Sequence, residues 1–522
     1  MTALSPEELS TESLAEVMAA GGRPVDSERE IKIIDTTLRD AHQSIWATRM
    51  TTEHILSLLD DITNAGFEHV DLVAPIQFDV AVRYLKEDPW ERVRLVHEHA
   101  APGTKFRALI RSKNLASFDF LPDDAILNWT ERLYANGFRV IGSFDGLNDI
   151  DNIDKGLKLA KELGAETFGA LSYCLSPVHT DELYKQKAEE LLERTDVDRI
   201  MLKDAGGLLT PDRMRTLIPA IRSSIGEDIP LEVHTHSLTG LSPLTYLFGA
   251  ELGVDSIHTS IAPLANGPGQ PATQALVRDL RALGYTVNVD DDRIASASDR
   301  IQEIADTEDK PVGVPRAFDG LHYMHQLPGG MLTNFESQLE TAGLGDRFEE
   351  LLYEVARVRE ELAYPIMITP FAQFVGTQAV MNVMTGERYS VVPNEIKKYA
   401  LGYYGEPLAP LDPEVLEKIL ANGSSEITEE IPELKPVLPG LKEAHPDEDI
   451  DTLLLRVMFA GSQVDEMKRF VAEGRAGEGE GVKGGVLTSL VQQIYNSSDT
   501  TDFHLKTCLL YTSDAADEQC MV

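Results

Sequence analysis

Residues 31–43 read Ile-Lys-Ile-Ile-Asp-Thr-Thr-Leu-Arg-Asp-Ala-His-Gln, an apolar β-branched run that ends in charged and polar side chains. Such a run predicts a buried strand over Ile31–Thr37, because β-branched residues favour the strand conformation. Seven similar runs follow it: His69–Ala74, Lys105–Ile110, Phe138–Phe144, Thr167–Tyr173, Arg199–Lys203, Leu231–His236 and Asp255–Ser260. Helix-period segments lie between several of them: Thr52–Ala65, Asp151–Leu163, Asp181–Glu193 and Pro211–Ile225. Eight strands alternating with helices over about 250 residues are typical of an α/β protein of the (β/α)₈, or TIM-barrel, class.

The same alternation also fits a doubly wound open sheet, in which helices cover both faces of a parallel sheet. No glycine-rich dinucleotide-binding fingerprint follows the first strand, so the barrel is the favoured interpretation. We place the barrel over residues 30–290.

The pattern becomes mostly helical beyond Arg278. The helix-period segments there are Asp291–Ala305, Phe335–Ala342, Arg347–Glu361, Gln373–Thr385, Pro393–Gly402 and Asp449–Glu473. Proline-rich stretches at 407–413 and 426–446 predict looser connections. We therefore expect a mostly helical C-terminal domain over residues 291–473 that completes the site at the barrel mouth.

The two ends of the chain differ in composition from the rest. Residues 1–29 are polar and predict a mobile arm with one helix at Pro6–Ala20. The glycine-rich stretch 474–485 predicts a linker, within a tail that we place at 474–506. Residues 507–522 resemble a translated sequencing adapter, so we leave them out of the fold interpretation.

The chain is strongly acidic, with 86 Asp and Glu against 47 Lys and Arg and a formal net charge of −39 at pH 7. A field of that sign repels nucleic acids and anionic membranes. No run approaches the roughly 18 to 20 apolar residues that a membrane span needs, and the N-terminal segment lacks an export-signal pattern. The three cysteines form no C-x-x-C pair and are too few for a disulfide framework. We expect a cytoplasmic enzyme that binds no nucleic acid and spans no membrane.

Chemically reactive side chains follow three of the predicted strands. Arg39 and Asp40 come after the first, Lys203 ends the sixth, and His234 and His236 end the seventh. In a barrel of parallel strands, these ends converge on one mouth. Residues at i and i+2 of a strand share a face, so both imidazoles can bind one cation, and Asp40 supplies a carboxylate. This set predicts a site for a divalent metal such as zinc, manganese or cobalt.

Lys203 is the unusual member of the set, because a bare ammonium is costly to bury. Two interpretations stay open: an ion pair with Asp204 or Asp40, or carbamylation by CO₂, which would turn the cation into a metal-binding carboxylate.

The stretch Asp35-Thr-Thr-Leu-Arg-Asp-Ala-His-Gln-Ser44, followed by Ala47-Thr-Arg-Met50, resembles the opening motif of the carboxyltransferase components of biotin-dependent enzymes. That family includes pyruvate carboxylase, the oxaloacetate decarboxylase alpha subunit and the large transferase subunit of transcarboxylase. Further similar stretches are Tyr84–Arg92, Phe144–Asp149, Ser172–Thr180, Pro328–Asn334 and Val375–Val380. The resemblance extends in order from about Ile31 to Gly405.

The resemblance implies a metal held by Asp40, His234, His236 and a carbamylated Lys203. It also implies that Arg39 and Gln43 bind the keto acid and face carboxybiotin. A guanidinium beside the metal would stabilise the charge that develops on an enolate oxygen.

Two further residues are assigned by the resemblance. Arg111, after the third strand, would bind the substrate carboxylate through its planar guanidinium. Thr369, before Pro370, would carry a proton between the substrate methyl group and biotin, since a hydroxyl can give and receive a proton. Taken alone, the two residues also fit a surface ion pair and a turn.

The sequence departs from the family pattern around the expected pocket. Ala74–Asp79 replaces a glycine-rich stretch, Ser112 and Phe118 stand where Gly and Tyr are usual, and Ser143 and Ala205 replace Arg and Met. A missing phenol removes a hydrogen bond worth about 1 kcal/mol if buried. The departures leave the acceptor acid open.

We therefore expect a biotin-dependent carboxyltransferase that moves CO₂ between carboxybiotin and a 2-oxo acid, with pyruvate and oxaloacetate as the default pair. No Ala-Met-Lys-Met biotin-attachment motif is present, so a separate carrier protein, or a domain lost at the C-terminus, would supply carboxybiotin. We also expect a homo-oligomer. The alternatives are a metal-dependent lyase or Claisen-type synthase of the same barrel superfamily, and a non-catalytic scaffold component of a carboxylase complex.

Overall fold

The computed structural model describes residues 29–477, except 329–330, 333–334, 336–338 and 341–342. Eight parallel strands form a closed barrel in chain order, with β8 paired to β1. The strands are β1 Lys32–Asp35, β2 His69–Val73, β3 Phe106–Arg111, β4 Val140–Phe144, β5 Glu166–Ser172, β6 Arg199–Asp204, β7 Leu231–Thr235 and β8 Ser256–Thr259. The barrel prediction is confirmed, and each predicted strand is present with its ends shifted by no more than two residues.

Helices cover the outside of the barrel and form the C-terminal region. Those of six or more residues are α1 Thr52–Asn64, α2 Pro75–Val80, α3 Pro89–His99, α4 Asp123–Ala135, α5 Asp154–Glu162, α6 Asp181–Thr195, α7 Pro211–Ile225, α8 Ser242–Glu251, α9 Thr273–Ala282, α10 Asp291–Glu308, α11 Phe348–Glu361, α12 Phe371–Thr385, α13 Asn394–Ala400, α14 Pro413–Asn422, α15 Leu438–Ala444, α16 Ile450–Met458 and α17 Gly461–Ala472. No described helix is long and apolar enough to cross a membrane. The predicted helix at Pro6–Ala20 and the predicted linker and adapter-like tail beyond residue 477 lie outside the described residues, as does part of the predicted helix Phe335–Ala342.

The described residues form three apolar clusters, two in the barrel and its surrounding helices and one beside it. Strand side chains pack against the surrounding helices, while a separate cluster that includes Leu351, Val355, Phe371 and Val375 joins α11 to α12. The amphipathic pattern of α11, with buried residues at helical spacing, explains why this pair assembles beside the barrel. The prediction of a mostly helical C-terminal region is confirmed.

Two helices, α16 and α17, occupy the range 449–473 where the sequence predicts one helical stretch. Phe459 takes an extended backbone (φ −124°, ψ 150°) and is buried in the barrel-side apolar cluster. Burial of that ring on a non-helical backbone ends α16, and Gly461, a weak helix former, begins α17. The stretch 426–446, predicted as loose, contains the short helix α15.

The last helices pack back against the barrel wall. Asp451 at the start of α16 accepts hydrogen bonds from Arg132 (2.6 Å) on α4 and Arg94 (3.2 Å) on α3. Trp90 donates its indole N–H to the Asp451 carbonyl, and Lys86 pairs with Glu466 of α17 at 2.8 Å. The C-terminal region therefore contacts the barrel on its outer side as well as beside its mouth.

Candidate metal centre and active site

The carboxyl ends of β1, β6 and β7 bring four predicted residues together. Asp40 lies in the helical turn Thr37–Ala41 directly after β1. Lys203 of β6 and His234 of β7 are paired positions in the sheet, and His236 follows two residues later. All four side chains are buried. These four residues, which are spread over about 200 residues of the sequence, therefore lie close together at the mouth of the barrel.

Asp40, His234 and His236 form a group whose ligand atoms all lie within 4.8 Å of one another. The Asp40 Oδ2 atom is 3.1 Å from His234 Nε2 and 3.2 Å from His236 Nε2, and the two Nε2 atoms are 3.3 Å apart. With metal–ligand bonds of about 2.1 Å, neighbouring ligands lie about 3.0 Å apart in an octahedron and about 3.4 Å apart in a tetrahedron. The observed spacing falls between these values, so the donor set fits a divalent cation.

The charge states of these groups suit metal binding. Burial alone would raise the pKa of Asp40, but the Arg39 guanidinium and the two imidazoles hold it well below its usual range. Burial, with the nearby Lys203 ammonium, holds the pKa of His234 well below its usual range against the opposing effect of Asp40. A carboxylate and a neutral imidazole are the forms in which these side chains bind metals.

Lys203 reaches the same region without an ion pair. Its Nζ atom is buried, has no hydrogen-bond partner in the part of the chain that the structure describes, and lies 5.2 Å from the centre of the Phe144 ring. The Asp204 carboxylate instead accepts hydrogen bonds from the Leu208 and Leu209 backbone and from Thr235. Neither ion pair considered from the sequence is therefore formed.

Arg39 is held between two carboxylates. Its Nε and Nη2 atoms donate to Asp71 Oδ2 at 2.8 and 2.7 Å, and Nη1 donates to Asp40 Oδ1 at 2.8 Å. The guanidinium is therefore fixed between both acids next to the candidate metal ligands. Asp71, on β2, is not among the predicted site residues, because a single acid in an apolar strand carries no motif.

Gln43 is oriented by Gln77, which lies in the stretch that departs from the family pattern. Gln77 Oε1 accepts from the Ala74 N–H at 2.8 Å, and its Nε2 donates to the Arg39 carbonyl at 3.2 Å. These two backbone groups have fixed polarity, so the Gln77 amide has one possible orientation. Gln77 Nε2 then donates to Gln43 Oε1 at 3.1 Å, so the Gln43 amide nitrogen points away from Gln77.

Arg111 and Thr369 are both buried. Arg111 is therefore not at the surface, whereas Thr369 lies in a turn with Pro370, as its position before a proline also suggested. Arg111 ends β3 and donates to the Ser117 carbonyl at 2.6 Å. Thr369 precedes α12, and Gln373 donates to its Oγ1 at 3.1 Å. Residues 366–368, directly before Thr369, line a narrow pocket together with Lys203 and Tyr173. The helical region thus borders the pocket that contains Lys203.

Gln270 also belongs to the centre, although the sequence interpretation does not include it. Its Nε2 atom is within hydrogen-bond distance of Asp40 Oδ2, 3.3 Å from His234 Nε2 and 3.1 Å from His236 Nε2. Its Oε1 accepts from Thr36 at 3.0 Å and from Ser260 at 3.2 Å. Gln270 lies in a loop after β8, where no periodic pattern marks a functional residue.

Two family profiles match the chain. One, described as "Conserved carboxylase domain", covers residues 323–473, and one described as "HMGL-like" covers residues 146–301. A pyruvate carboxylase component of Methanocaldococcus jannaschii, its B subunit, is 39% identical over 399 residues, which are 76% of this chain and 70% of that protein. The methylmalonyl-CoA carboxyltransferase 5S subunit of Propionibacterium freudenreichii subsp. shermanii is 36% identical over 393 residues, 75% of this chain and 77% of that protein.

Two further similarities extend the comparison. The 2-oxoglutarate carboxylase large subunit of Hydrogenobacter thermophilus is 35% identical over 76% of this chain and 60% of its own length. The carboxyl transferase domain of Rhizobium etli pyruvate carboxylase superimposes with a TM-score of 0.77 at 24% identity, over 90% of this chain and 81% of that one. The structural similarity concerns the fold, namely a barrel followed by a helical region.

Proposed function

The chain belongs to the family of carboxyltransferase components of biotin-dependent carboxylases, and on that premise we propose that it moves CO₂ between carboxybiotin and a small 2-oxo acid at the metal centre. Pyruvate and oxaloacetate are the proposed pair, because the relative with 39% identity is a pyruvate carboxylase component. The differently named 2-oxoglutarate and methylmalonyl-CoA relatives are also above 30% identical, so the acceptor has to be measured.

One observation carries the proposal: a buried Asp40–His234–His236 group lies beside a lysine amine to which no described residue is hydrogen-bonded. Loss of a proton from the Lys203 ammonium and addition of CO₂ to the resulting amine, with loss of a second proton, would give a carbamate whose oxygens supply a further ligand. The carbamate would also remove the cost of an unpaired buried ammonium. Zinc, manganese and cobalt all suit such a nitrogen and oxygen donor set.

The bound metal would act as a Lewis acid towards the keto oxygen and so stabilise the enolate charge that forms there. Arg39 would add a second positive group, already fixed by Asp71 and Asp40. Arg111 would bind the substrate carboxylate with its guanidinium. The family resemblance supports these roles, and the burial of both arginines strengthens each interaction by excluding water.

Thr369 is the proposed proton carrier. Its buried hydroxyl would accept a proton from biotin and donate one to the substrate, or the reverse, without leaving a charged base in a dry pocket. The hydrogen bond from Gln373 to Thr369 Oγ1 uses a lone pair and leaves the hydroxyl proton to be donated elsewhere.

Carboxybiotin would arrive on a biotin carrier protein or on a carrier domain. The pyruvate carboxylase and methylmalonyl-CoA carboxyltransferase relatives are each named as one component of an assembly, which supports delivery in trans. The expected homo-oligomer also stays a prediction.

The test uses the purified chain, its metal content and decarboxylation of oxaloacetate with and without free biotin. We expect about one divalent metal per chain and turnover that rises with biotin, lost in Lys203→Ala and in Thr369→Ala. Lys435→Ala, at an exposed position, is the matched control and should keep wild-type turnover. Bound metal with no biotin effect on any 2-oxo acid would contradict the proposal.

A metal-dependent lyase or Claisen-type synthase is the second candidate, favoured by the "HMGL-like" match over residues 146–301. That enzyme would act on its substrate without biotin and would not need Thr369. Turnover that persists without biotin and in Thr369→Ala would support it. A chain without metal or turnover would instead support the scaffold alternative.

A further inference from the structure

Glu232 and His234 of β7, and His236 directly after it, are alternate residues that form three successive layers in the barrel lumen. The carboxylate of Glu232 binds Arg107 of β3 on the far side of the barrel, which places Glu232 in the lumen. The register Glu232↔Ser256 and Val233↔Ile257 sets the next pair of positions, His234 and His258, side by side. His258 is buried and has no part in the function proposed above.

His258 connects Glu232 to the metal-ligating face of His234. His234 Nδ1 is 3.2 Å from His258 Nδ1, and His258 Nε2 is 3.2 Å from Glu232 Oε2. The remaining nitrogen of His234, Nε2, is the atom that faces Asp40 and His236. A continuous line of hydrogen bonds therefore runs from the carboxylate to the metal centre.

The protons on this line have one consistent arrangement. An ionised Glu232 only accepts, so His258 Nε2 carries a proton and donates it. A neutral His258 then has a bare Nδ1, which accepts, so His234 Nδ1 carries the second proton. That leaves His234 Nε2 with its lone pair directed at the metal centre.

The charges around Glu232 favour this arrangement. Arg107 and Arg199 both bind the Glu232 carboxylate, and they compensate its charge without a third cation. A protonated His258 would add an uncompensated buried charge next to two guanidiniums. Arg199 is itself held by Glu68 at 2.8 Å, so the carboxylate that begins the line is fixed in place.

We propose that Glu232 and His258 are positioning residues that set the tautomer of His234 and direct its Nε2 lone pair at the metal. The proposal rests on the metal centre of the proposed function. Ligating histidines commonly donate their second N–H to a carboxylate or carbonyl, and loss of such a partner weakens metal binding by about 10- to 100-fold. Here the partner of His234 is a second histidine, His258. Glu232 in turn determines which nitrogen of His258 carries the proton.

Two substitutions separate this role from simple space filling. His258→Phe keeps an aromatic ring of similar size but has no acceptor, whereas His258→Asn places an oxygen near the position of Nδ1. We expect His258→Phe to weaken cobalt affinity about 10- to 100-fold. We expect His258→Asn to restore most of that loss, although it fills less space than phenylalanine.

The measurement is calorimetric titration of metal-free protein with Co²⁺, together with the visible absorption spectrum of the bound ion, which reports its coordination. His99→Phe, at an exposed position, is the matched control and should bind cobalt as the wild type does. If His258→Phe binds cobalt with the wild-type affinity and spectrum, the positioning role of Glu232 and His258 is overturned. The proposed function would not be affected by that result. A wild-type chain that binds no divalent metal would overturn both.

A second measurement needs no variant and covers the case in which His258→Phe fails to fold. Histidine nitrogen-15 shifts in the wild-type, zinc-loaded protein report which ring nitrogen carries the proton. We expect a proton on Nδ1 of His234 and on Nε2 of His258. A proton on Nδ1 of His258 would overturn the proposal.

Discussion

At the scale of single residues, a buried lysine with no hydrogen-bond partner among the described residues has a direct energetic consequence. For Lys203 Nζ, the Phe144 ring at 5.2 Å compensates only part of the lost hydration. An unpaired buried amine that destabilises the fold is expected of a residue with a chemical role.

We therefore predict that Lys203→Met raises the melting temperature of metal-free, CO₂-depleted protein by a few degrees, because an unbranched thioether replaces the unpaired amine at similar volume. The same substitution should weaken metal binding at least tenfold. Calorimetric melting with a chelator present gives the first quantity and metal titration the second. Lys442→Met, at an exposed position, should change neither quantity. A lower melting temperature for Lys203→Met would contradict the prediction, because it would show that the Lys203 amine stabilises the metal-free fold.

Gln77 gives a second prediction at this scale, since its amide determines which end of Gln43 faces away from it. In Gln77→Glu, one carboxylate oxygen can still accept from Ala74, but the other would face the Arg39 carbonyl and Gln43 Oε1. Two acceptors repel, so the Gln43 amide should rotate. We expect a KM for the 2-oxo acid or for biotin raised about tenfold, with metal affinity unchanged.

Steady-state kinetics at varied oxaloacetate and varied biotin measure this effect and identify which ligand Gln43 contacts. Gln77→Met removes the hydrogen bonds without reversing them, so its effect should be smaller than that of Gln77→Glu. Equal effects of the two substitutions would contradict the orientation argument.

At the scale of elements, a glycine in β4 makes room for an aromatic ring in β5. A Cβ atom on Gly142 would lie 2.3 Å from the Phe168 ring, and Gly142 and Phe168 are paired positions in the sheet. The Arg107 guanidinium lies 3.8 Å from the centre of the same ring. Because Gly142 has no side chain, the Phe168 ring can occupy this space, and Arg107 packs on that ring where it binds Glu232.

Gly142→Ala should destabilise the protein by about 1 to 3 kcal/mol, because the ring must leave its place in a packed interior. A shift of the melting temperature measures the loss. Gly440→Ala is the matched control: Gly440 lies in α15 with no atom within 4 Å of an added Cβ, so alanine should be neutral or slightly stabilising. Unchanged melting of Gly142→Ala would mean that Phe168 can move at little cost.

At the scale of the whole molecule, ion pairs connect helices α16 and α17 to each other. Glu448, just before α16, accepts hydrogen bonds from Arg456 of α16 and from Lys468 of α17. The hydrogen bonds from Arg456, followed by those from Lys468 and the charges of both, lower the pKa of Glu448 from 4.5 to about 2. These contacts keep α16 and α17 together where they pack on the barrel.

A carboxyl group with a lowered pKa stabilises the folded state above its unfolded pKa, and that stabilisation is lost as the pH falls towards the folded pKa. Glu448→Gln should therefore melt below the wild type at pH 7, and the difference should shrink as the pH falls from the unfolded value of 4.5 to the folded value of about 2. Calorimetric melting at neutral pH and at two acidic values within that window tests the trend. A difference that stays constant with pH would show that Glu448 acts through packing and not through charge.

Much of the fold follows from the sequence alone. Apolar runs of strand length, separated by helix-period segments, predict eight strands, a barrel and a helical region after it, and all are present. These are local properties, because side-chain periodicity over about ten to fifteen residues decides which face is buried. The break at Phe459 is not predictable in this way, because burial of that ring against the barrel overrides a helical pattern.

The sequence also determined which residue types meet at the barrel mouth, since strand ends converge in any barrel of parallel strands. Asp40, Lys203, His234 and His236 are brought together as that rule predicts. Only the tertiary structure decided which side chains lie behind them, namely Asp71, Gln77, His258 and Gln270. Hydrogen bonds form over about 3 Å between residues that are distant along the chain, and sequence periodicity describes faces but not such distances.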